Sequence, residues 1–264
     1  MATEERSRRI EAEIEIDASP DAVWRALTEG EEISRWFAFE ARSEPRLGGE
    51  VWLSWGPPWE ATSRITLWEP NRRVQMTDER VPESFAHPTP LVVDYHLEAR
   101  GGKTVLRLVH SGFAASGWDE EFDAIHRGWQ VFLRGLAHYL TRHRGTPRRV
   151  AYAMVGRTRP HEEAWQSLTG PRGLAREGSL AGLAEGGRYE VVTATGDRLA
   201  GVVQVWNPPK DLAATVENLG DAHLWLECGL GHVSLTLSTF GLPAAELAAI
   251  EGRWREMLAR LFGP

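Results

Sequence analysis

Residues 10–16 alternate strictly, with Ile10, Ala12, Ile14 and Ile16 on one side and Glu11, Glu13 and Glu15 on the other. That period of two predicts a strand with one buried face. The period changes after Ser19, whose hydroxyl suits a helix N-cap, and Pro20 fits the first helical turn. Val23, Trp24 and Leu27 form the apolar side of a short helix that ends near Gly30. The aromatic segment "ISRWFAF" follows as a helical turn or loop. Six further strands are predicted at Phe39–Glu44, Glu50–Trp55, Glu60–Trp68, Arg73–Thr77, Leu91–Glu98 and Lys103–His110. Gly48-Gly49, Gly56-Pro57-Pro58, Pro70-Asn71 and Gly101-Gly102 punctuate them, and "VPESFAHPTP" reads as a loop. Phe122, Ile125, Trp129, Leu133, Leu136 and Leu140 then recur at steps of three or four, the stripe of one long amphipathic helix. A curved antiparallel sheet and a helix with one apolar stripe bury each other when the helix lies across the sheet.

The same order of elements returns after Arg149. Trp165 and Leu168 follow Trp24 and Leu27 by 141 residues, and Gly186 and Trp206 follow Gly48 and Trp68 by 138. Leu247, Ile250, Trp254, Leu258 and Leu261 follow the stripe residues Phe122 to Leu136 by 125. The offset only falls along the chain, as loop deletions in a second copy produce. The chain therefore reads as a tandem repeat, with domains over residues 1–146 and 147–264. Each copy contains Trp-x-Pro at a strand end: "ITLWEPNRR" and "VQVWNPPKD". Proline ends the ladder there, so Trp68 and Trp206 are expected to serve the fold.

Bulk properties narrow the function. The formal net charge of the 264 residues is -7, which argues against a nucleic-acid footprint. No apolar run reaches the ~20 residues needed to span a bilayer, and no signal peptide is recognisable. Cys228 is the sole cysteine; in "HLWLECG" it reads as a small buried apolar residue, and a reducing cytoplasm is the expected home. Phosphate loops, zinc helices, nucleophile elbows and paired-cysteine sites are absent from the sequence, so no cofactor and no metal site is expected. His138 and His143 are five residues apart, about 140° around an α-helix, a poor arrangement for shared ligation.

"IDASPDAVWRALTEGEEISRWF", "RLGGEVW", "ITLWEPNRRV", "TVLRLVHSGF" and "GWQVFLRGLAHYL", in that order, resemble the helix-grip (START-like) superfamily. The nearest branch is that similar to the C-terminal domain of the activator of heat-shock-protein-90 ATPase. The second half keeps "AWQSLT", "GGRYEV" and "VWNPPKDL" but replaces the "RWF" segment by Gly-rich sequence, and it is a divergent copy. The resemblance implies an α+β fold of two tandem helix-grip domains, each a curved antiparallel sheet wrapped around a long C-terminal helix. It also implies a cavity between sheet and helix that takes an apolar or amphipathic small molecule.

Eight of the twelve tryptophans precede residue 150, which points to the first domain for that cavity. Its candidate lining is Trp36, Phe37, Trp55, Trp59, Met76, Tyr95, His110, Phe113, His126 and Trp129. His110, Tyr95 and His126 are candidate acid–base groups, while Arg35 and Arg64 are candidate partners for an acidic ligand group. No catalytic residue is forced. Binding of a small apolar ligand ranks first, a protein-partner or chaperone-cofactor role second, and cyclase or dehydratase catalysis third; a homodimer through an exposed sheet edge fits any of them. The second domain is expected to have the smaller cavity.

Overall fold

The computed structural model describes residues 8–80, 90–114 and 118–263. The chain forms two compact units, 1–145 and 146–264. Unit 1 runs β1 (Arg8–Ile16), α1 (Pro20–Thr28), α2 (Gly30–Ile33), β2 (Glu40–Ser43), β3 (Glu50–Ser54), β4 (Glu60–Glu69), β5 (Arg73–Arg80), β6 (Val92–Arg100), β7 (Lys103–Phe113) and α3 (Asp119–His138). The seven strands form one antiparallel sheet in the order β1-β7-β6-β5-β4-β3-β2. Alternation in β1 places Ile10 and Ile16 in the core, while Glu11 and Glu15 reach Arg107 and Lys103 on the outer side. Ser19 Oγ accepts the Ala22 N–H at 3.3 Å, and Pro20 opens α1. Strands β5 and β7 each extend three residues beyond the expected ends, so His110 lies inside β7 rather than at its end. Of the expected loop at 81–90, residues 81–89 lie outside the described residues.

The stripe of α3 buries Trp129, Leu133 and Leu136. Its continuation, Tyr139–His143, is a π turn. A π turn aligns residues five apart, so the His138 and His143 rings approach to 5.1 Å between centroids; the expected 140° separation is corrected by that local widening. Tyr139 anchors this end. Its hydroxyl donates to Glu32 Oε2 at 2.7 Å and accepts the Gly145 N–H at 3.0 Å. Burial, then the bond to Glu32, pushes the Tyr139 hydroxyl pKa up. Arg35 pairs with Glu32 and Glu31, and Arg64 with Glu79 and the Gly48 carbonyl. Both arginines are therefore engaged in the fold.

Unit 2 repeats the plan: β8 (Arg148–Gly156), α4 (His161–Thr169), β9 (Glu177–Gly178), β10 (Arg188–Val192), β11 (Arg198–Asn207), β12 (Asp211–Val216), β13 (Ala222–Cys228), β14 (His232–Phe240) and α5 (Ala244–Phe262). Its sheet order is β8-β14-β13-β12-β11-β10-β9. Cys228 is fully buried in this core. The repeat is visible in individual hydrogen bonds. Gly48 N–H donates to Ile65 O at 2.8 Å and Ile65 N–H to Gly49 O at 2.9 Å; Gly186 with Val203, and Val203 with Gly187, do the same at 2.9 Å each. The Trp-x-Pro phrase has one job in both copies. Trp68 receives Trp24 of α1 edge-on at 4.7 Å, and Trp206 receives Trp165 of α4 at 5.6 Å. Each pair docks the unit's first helix against its sheet.

Gly49 has no room for a side chain, because an added Cβ would lie 1.9 Å from the Glu44 carbonyl oxygen. Gly49→Ala is expected to cost about 1–3 kcal/mol by overpacking, read as a lower unfolding midpoint in denaturant. No change in the midpoint would mean that this turn relaxes freely. Among the described residues no helix is long and apolar enough to cross a membrane.

Candidate functional site

The inner face of the first sheet follows from its register. Met76 lies opposite Val93, and Val93 opposite His110; Val74 lies opposite Tyr95, and Tyr95 opposite Leu108. Side chains two apart share a face, so Met76, Tyr95 and His110 are on the side that α3 covers. Trp129 comes down from α3 onto this surface. Its ring meets Tyr95 edge-on at 6.2 Å and His110 at 5.9 Å. The indole N–H donates to His110 Nδ1 at 2.9 Å, which assigns Nδ1 as the acceptor and leaves the proton on Nε2 in the neutral ring.

The segment after α2 supplies the next layer. Phe37 stacks on Trp129 at 5.5 Å and 13° and on Trp36 at 5.0 Å and 25°. It meets Trp55 edge-on at 5.2 Å and Phe132 at 4.6 Å. Such offset and edge-on contacts suit the ring quadrupoles. Trp36 is buried, and its N–H donates to the Ala26 carbonyl at 2.8 Å; it is a packing residue beneath Phe37. Trp55 and Trp59 open and close the five-residue turn between β3 and β4, with the Trp55 N–H donating to Trp59 O at 2.9 Å. Phe37, Trp55, Trp59 and Phe132 are half-buried; Phe37, Trp55 and Phe132 form the rim of the cluster, and Trp59 ends the adjoining turn.

Phe113 is fully buried, with its ring 4.7 Å from His110 and 5.1 Å from Phe122. His126 does not join the cluster. It is exposed, like Gln130 and Arg134. Three residues of helix turn it about 60° away from Trp129, which suffices at the flank of the stripe. Phe122 and Phe132 also join the aromatic network, beyond the expected lining.

Two polar groups on the inner face were also missed. Ser63 and Asp78 are register partners, and Ser63 Oγ donates to Asp78 Oδ1 at 2.8 Å. Burial pushes the Asp78 carboxyl above its ordinary range, against the lowering effect of the Ser63 bond. Burial, then the nearby Asp78 charge, also pushes the Tyr95 hydroxyl well above the ordinary tyrosine range. The signal was present in the sequence: Val74, Met76 and Asp78 keep a period of two.

The corresponding turn of unit 2 is built differently. Thr193 and Asp197 stand 138 residues after Trp55 and Trp59, with the same N–H to carbonyl bond of 2.9 Å across the turn. Asp197 accepts the Trp254 N–H at 3.1 Å, the Thr195 hydroxyl at 2.6 Å and the Arg253 Nε–H at 3.1 Å. Trp254, the counterpart of Trp129, is fully buried. A polar latch therefore stands where unit 1 has an aromatic rim. Among the described residues no group of three or more His, Cys, Asp and Glu side chains is arranged to hold a metal.

Each unit is thus a helix-grip domain, and the chain is a tandem helix-grip protein. The model of the family described as "Activator of Hsp90 ATPase homolog 1-like protein" matches residues 17–141, and the first domain is similar to that family. Among solved structures, CalU16 from Micromonospora echinospora is 28% identical, over 51% of this chain and 77% of that one, with a TM-score of 0.42. The Aha1 dimer from Colwellia psychrerythraea is 23% identical, over 52% and 99%, with a TM-score of 0.46. The di-domain ARO/CYC BexL from the BE-7585A biosynthetic pathway is 16% identical, over 96% and 95%, with a TM-score of 0.46. No curated protein matches the chain.

Proposed function

We propose that the first unit binds a small apolar or amphipathic molecule against the Phe37–Trp55–Trp129 cluster. The contrast between the two copies carries this reading. The second unit completes the same sheet and helix with Thr193 and Asp197 in place of Trp55 and Trp59. The fold itself therefore does not demand aromatic rings at that turn. Half-buried aromatic bodies beside a few polar groups are what a small-molecule site uses. Catalysis ranks lower: the His110 Nδ1 that a general base would use already accepts from Trp129.

Native mass spectrometry of freshly purified protein, followed by denaturing extraction, tests the reading. The expected result is a retained small molecule that is lost, or reduced at least about tenfold in occupancy, in Trp55→Ala; tenfold corresponds to about 1.4 kcal/mol of contact. An apo mass in the wild type would count against the proposal. It would favour the protein-partner reading, tested by pull-down with a heat-shock-protein-90-type ATPase, the partner class that the family description names.

A further inference from the structure

We propose that His232 and Glu227 form a pH-sensitive pin on the β13–β14 hairpin of unit 2, closed while the imidazole carries both ring protons and released when one leaves. The inference is independent of the ligand reading. His232 Nδ1 lies 3.1 Å from the Leu230 carbonyl oxygen, and Nε2 lies 3.1 Å from Glu227 Oε2. A carbonyl and a carboxylate only accept, and a neutral imidazole has one N–H to offer. Both bonds therefore need the imidazolium, and a neutral ring must give one of them up. The pair closes the tight turn at Gly229-Leu230-Gly231. The Gly229 N–H donates to His232 O at 2.9 Å, and the Arg157 N–H to Gly231 O at 2.7 Å. The ring leans on that turn: a Cβ at Gly229 would lie 2.6 Å from His232 Cε1 and 2.8 Å from Glu227 Oε1.

The His232 and Glu227 side chains are 25% and 17% exposed, so solvent and salt screen the pair less than a surface pair. Arg157, just after β8, is the cation beside the ring, and its Nε–H donates to the Gly229 carbonyl at 3.4 Å. Tyr152 of β8 faces the Glu227 charge. Asp211, the register partner of Glu227 on β12, accepts the Trp225 N–H at 3.0 Å, and the Lys210 carbonyl accepts the Cys228 N–H at 2.7 Å. Burial alone would lower the His232 pKa. The Glu227 hydrogen bond, the Glu227 charge and the Leu230 carbonyl outweigh burial and the Arg157 charge, and they hold it above the ordinary histidine value. A folded pKa above the unfolded one stabilises the closed turn fully below the unfolded value, about 6.5. That stability is lost as pH rises through the folded value. The corresponding hairpin end of unit 1 has Lys103 paired with Glu15 at 2.9 Å, and both groups keep their charges across this range. The two copies therefore answer differently to pH near neutrality.

Long-range proton–nitrogen NMR spectra of the full chain report the protonation of each imidazole nitrogen. The His232 signals are those missing from His232→Gln and shifted in Glu227→Gln. The expected His232 midpoint lies above the ordinary value of about 6.5, with both nitrogens protonated below it. Amide exchange at Gly229 and Arg157, corrected for its intrinsic pH dependence, should lose protection through the same midpoint. The loss should be about tenfold for each pH unit between the folded midpoint and the unfolded value. The amides of Arg100 and Lys103, paired at the hairpin end of unit 1, should keep theirs. His232→Gln, neutral but still a donor, should make Gly229 protection independent of pH, and Glu227→Gln should bring the His232 midpoint down. A His232 midpoint at or below about 6.5 would overturn the proposal. So would Gly229 protection that stays level while His232 titrates, which would leave the pair a passive contact. Titration and exchange in the wild type decide the matter even where a variant lowers stability.

Discussion

Trp129→Ala is expected to destabilise the first unit by about 3–5 kcal/mol, the usual cost of removing a buried Trp or Phe side chain. The ring is 5% exposed and touches Phe37, Phe132, Tyr95 and His110. Its removal would open a void between α3 and the sheet, and the voids of close-packed cores collapse only in part. It would also take the donor away from His110 Nδ1. Trp129→Phe separates these effects: it fills most of the void and loses the N–H, so a cost of about 1–2 kcal/mol is expected. Denaturant unfolding followed by near-ultraviolet circular dichroism measures both variants. A loss below about 1 kcal/mol for the alanine variant would mean that the ring is not part of the packed core.

The second large effect is expected in unit 2. Asp197→Ala should cost roughly 2–3 kcal/mol, the range for hydrogen bonds to a charged group. Trp254 is fully buried, so its N–H would lose its acceptor with little access to water. The Arg253 side chain is 41% exposed, and water would re-solvate it, which keeps the loss below that of a fully buried pair. Burial alone would raise the Asp197 pKa. The hydrogen bonds from Arg253, Thr195 and Trp254 outweigh burial and hold the carboxyl below its ordinary range. A folded pKa below the unfolded one stabilises the fold above the unfolded value, and that stability is lost as pH falls through the folded value. Acidification below about pH 4, the unfolded aspartate range, should therefore weaken wild-type unit 2 and flatten the difference from Asp197→Ala. Equal differences at pH 7 and at strongly acid pH would show that the carboxylate charge plays no part.

Periodicity carried most of the architecture. The Ile10–Ile16 alternation, the Ser19-Pro20 helix start and the Trp129 stripe each correspond to an observed element. The ordered offsets revealed the repeat because hydrogen bonds such as Gly48 to Ile65 depend on a glycine at one place in each copy. The π turn after His138 was not legible, since no residue in Tyr139–His143 marks it; the Tyr139 contacts to Glu32 and Gly145 that accompany it are tertiary. His126 was misplaced because spacing alone cannot say where a stripe ends. Asp78 was passed over although its parity put it beside Met76, because a charged residue near a strand end reads by default as solvated. Its burial depends on neighbours brought in by Ser63, Tyr95 and the rest of the sheet.

The five-residue turn with Trp55 and Trp59 in one copy, and Thr193 and Asp197 in the other, has a consequence for divergence after duplication. Both versions close on the same N–H to carbonyl bond, so side chains at the two ends can be exchanged while the backbone stays as it was. A change from aromatic to acid at the last position needs only a complementary cation on the helix, which Arg253 provides. One copy can thus become a locked scaffold in a few substitutions while its sibling keeps an open aromatic face. Divergence of this kind proceeds at the tip of one hairpin and leaves the ladder that defines the fold untouched.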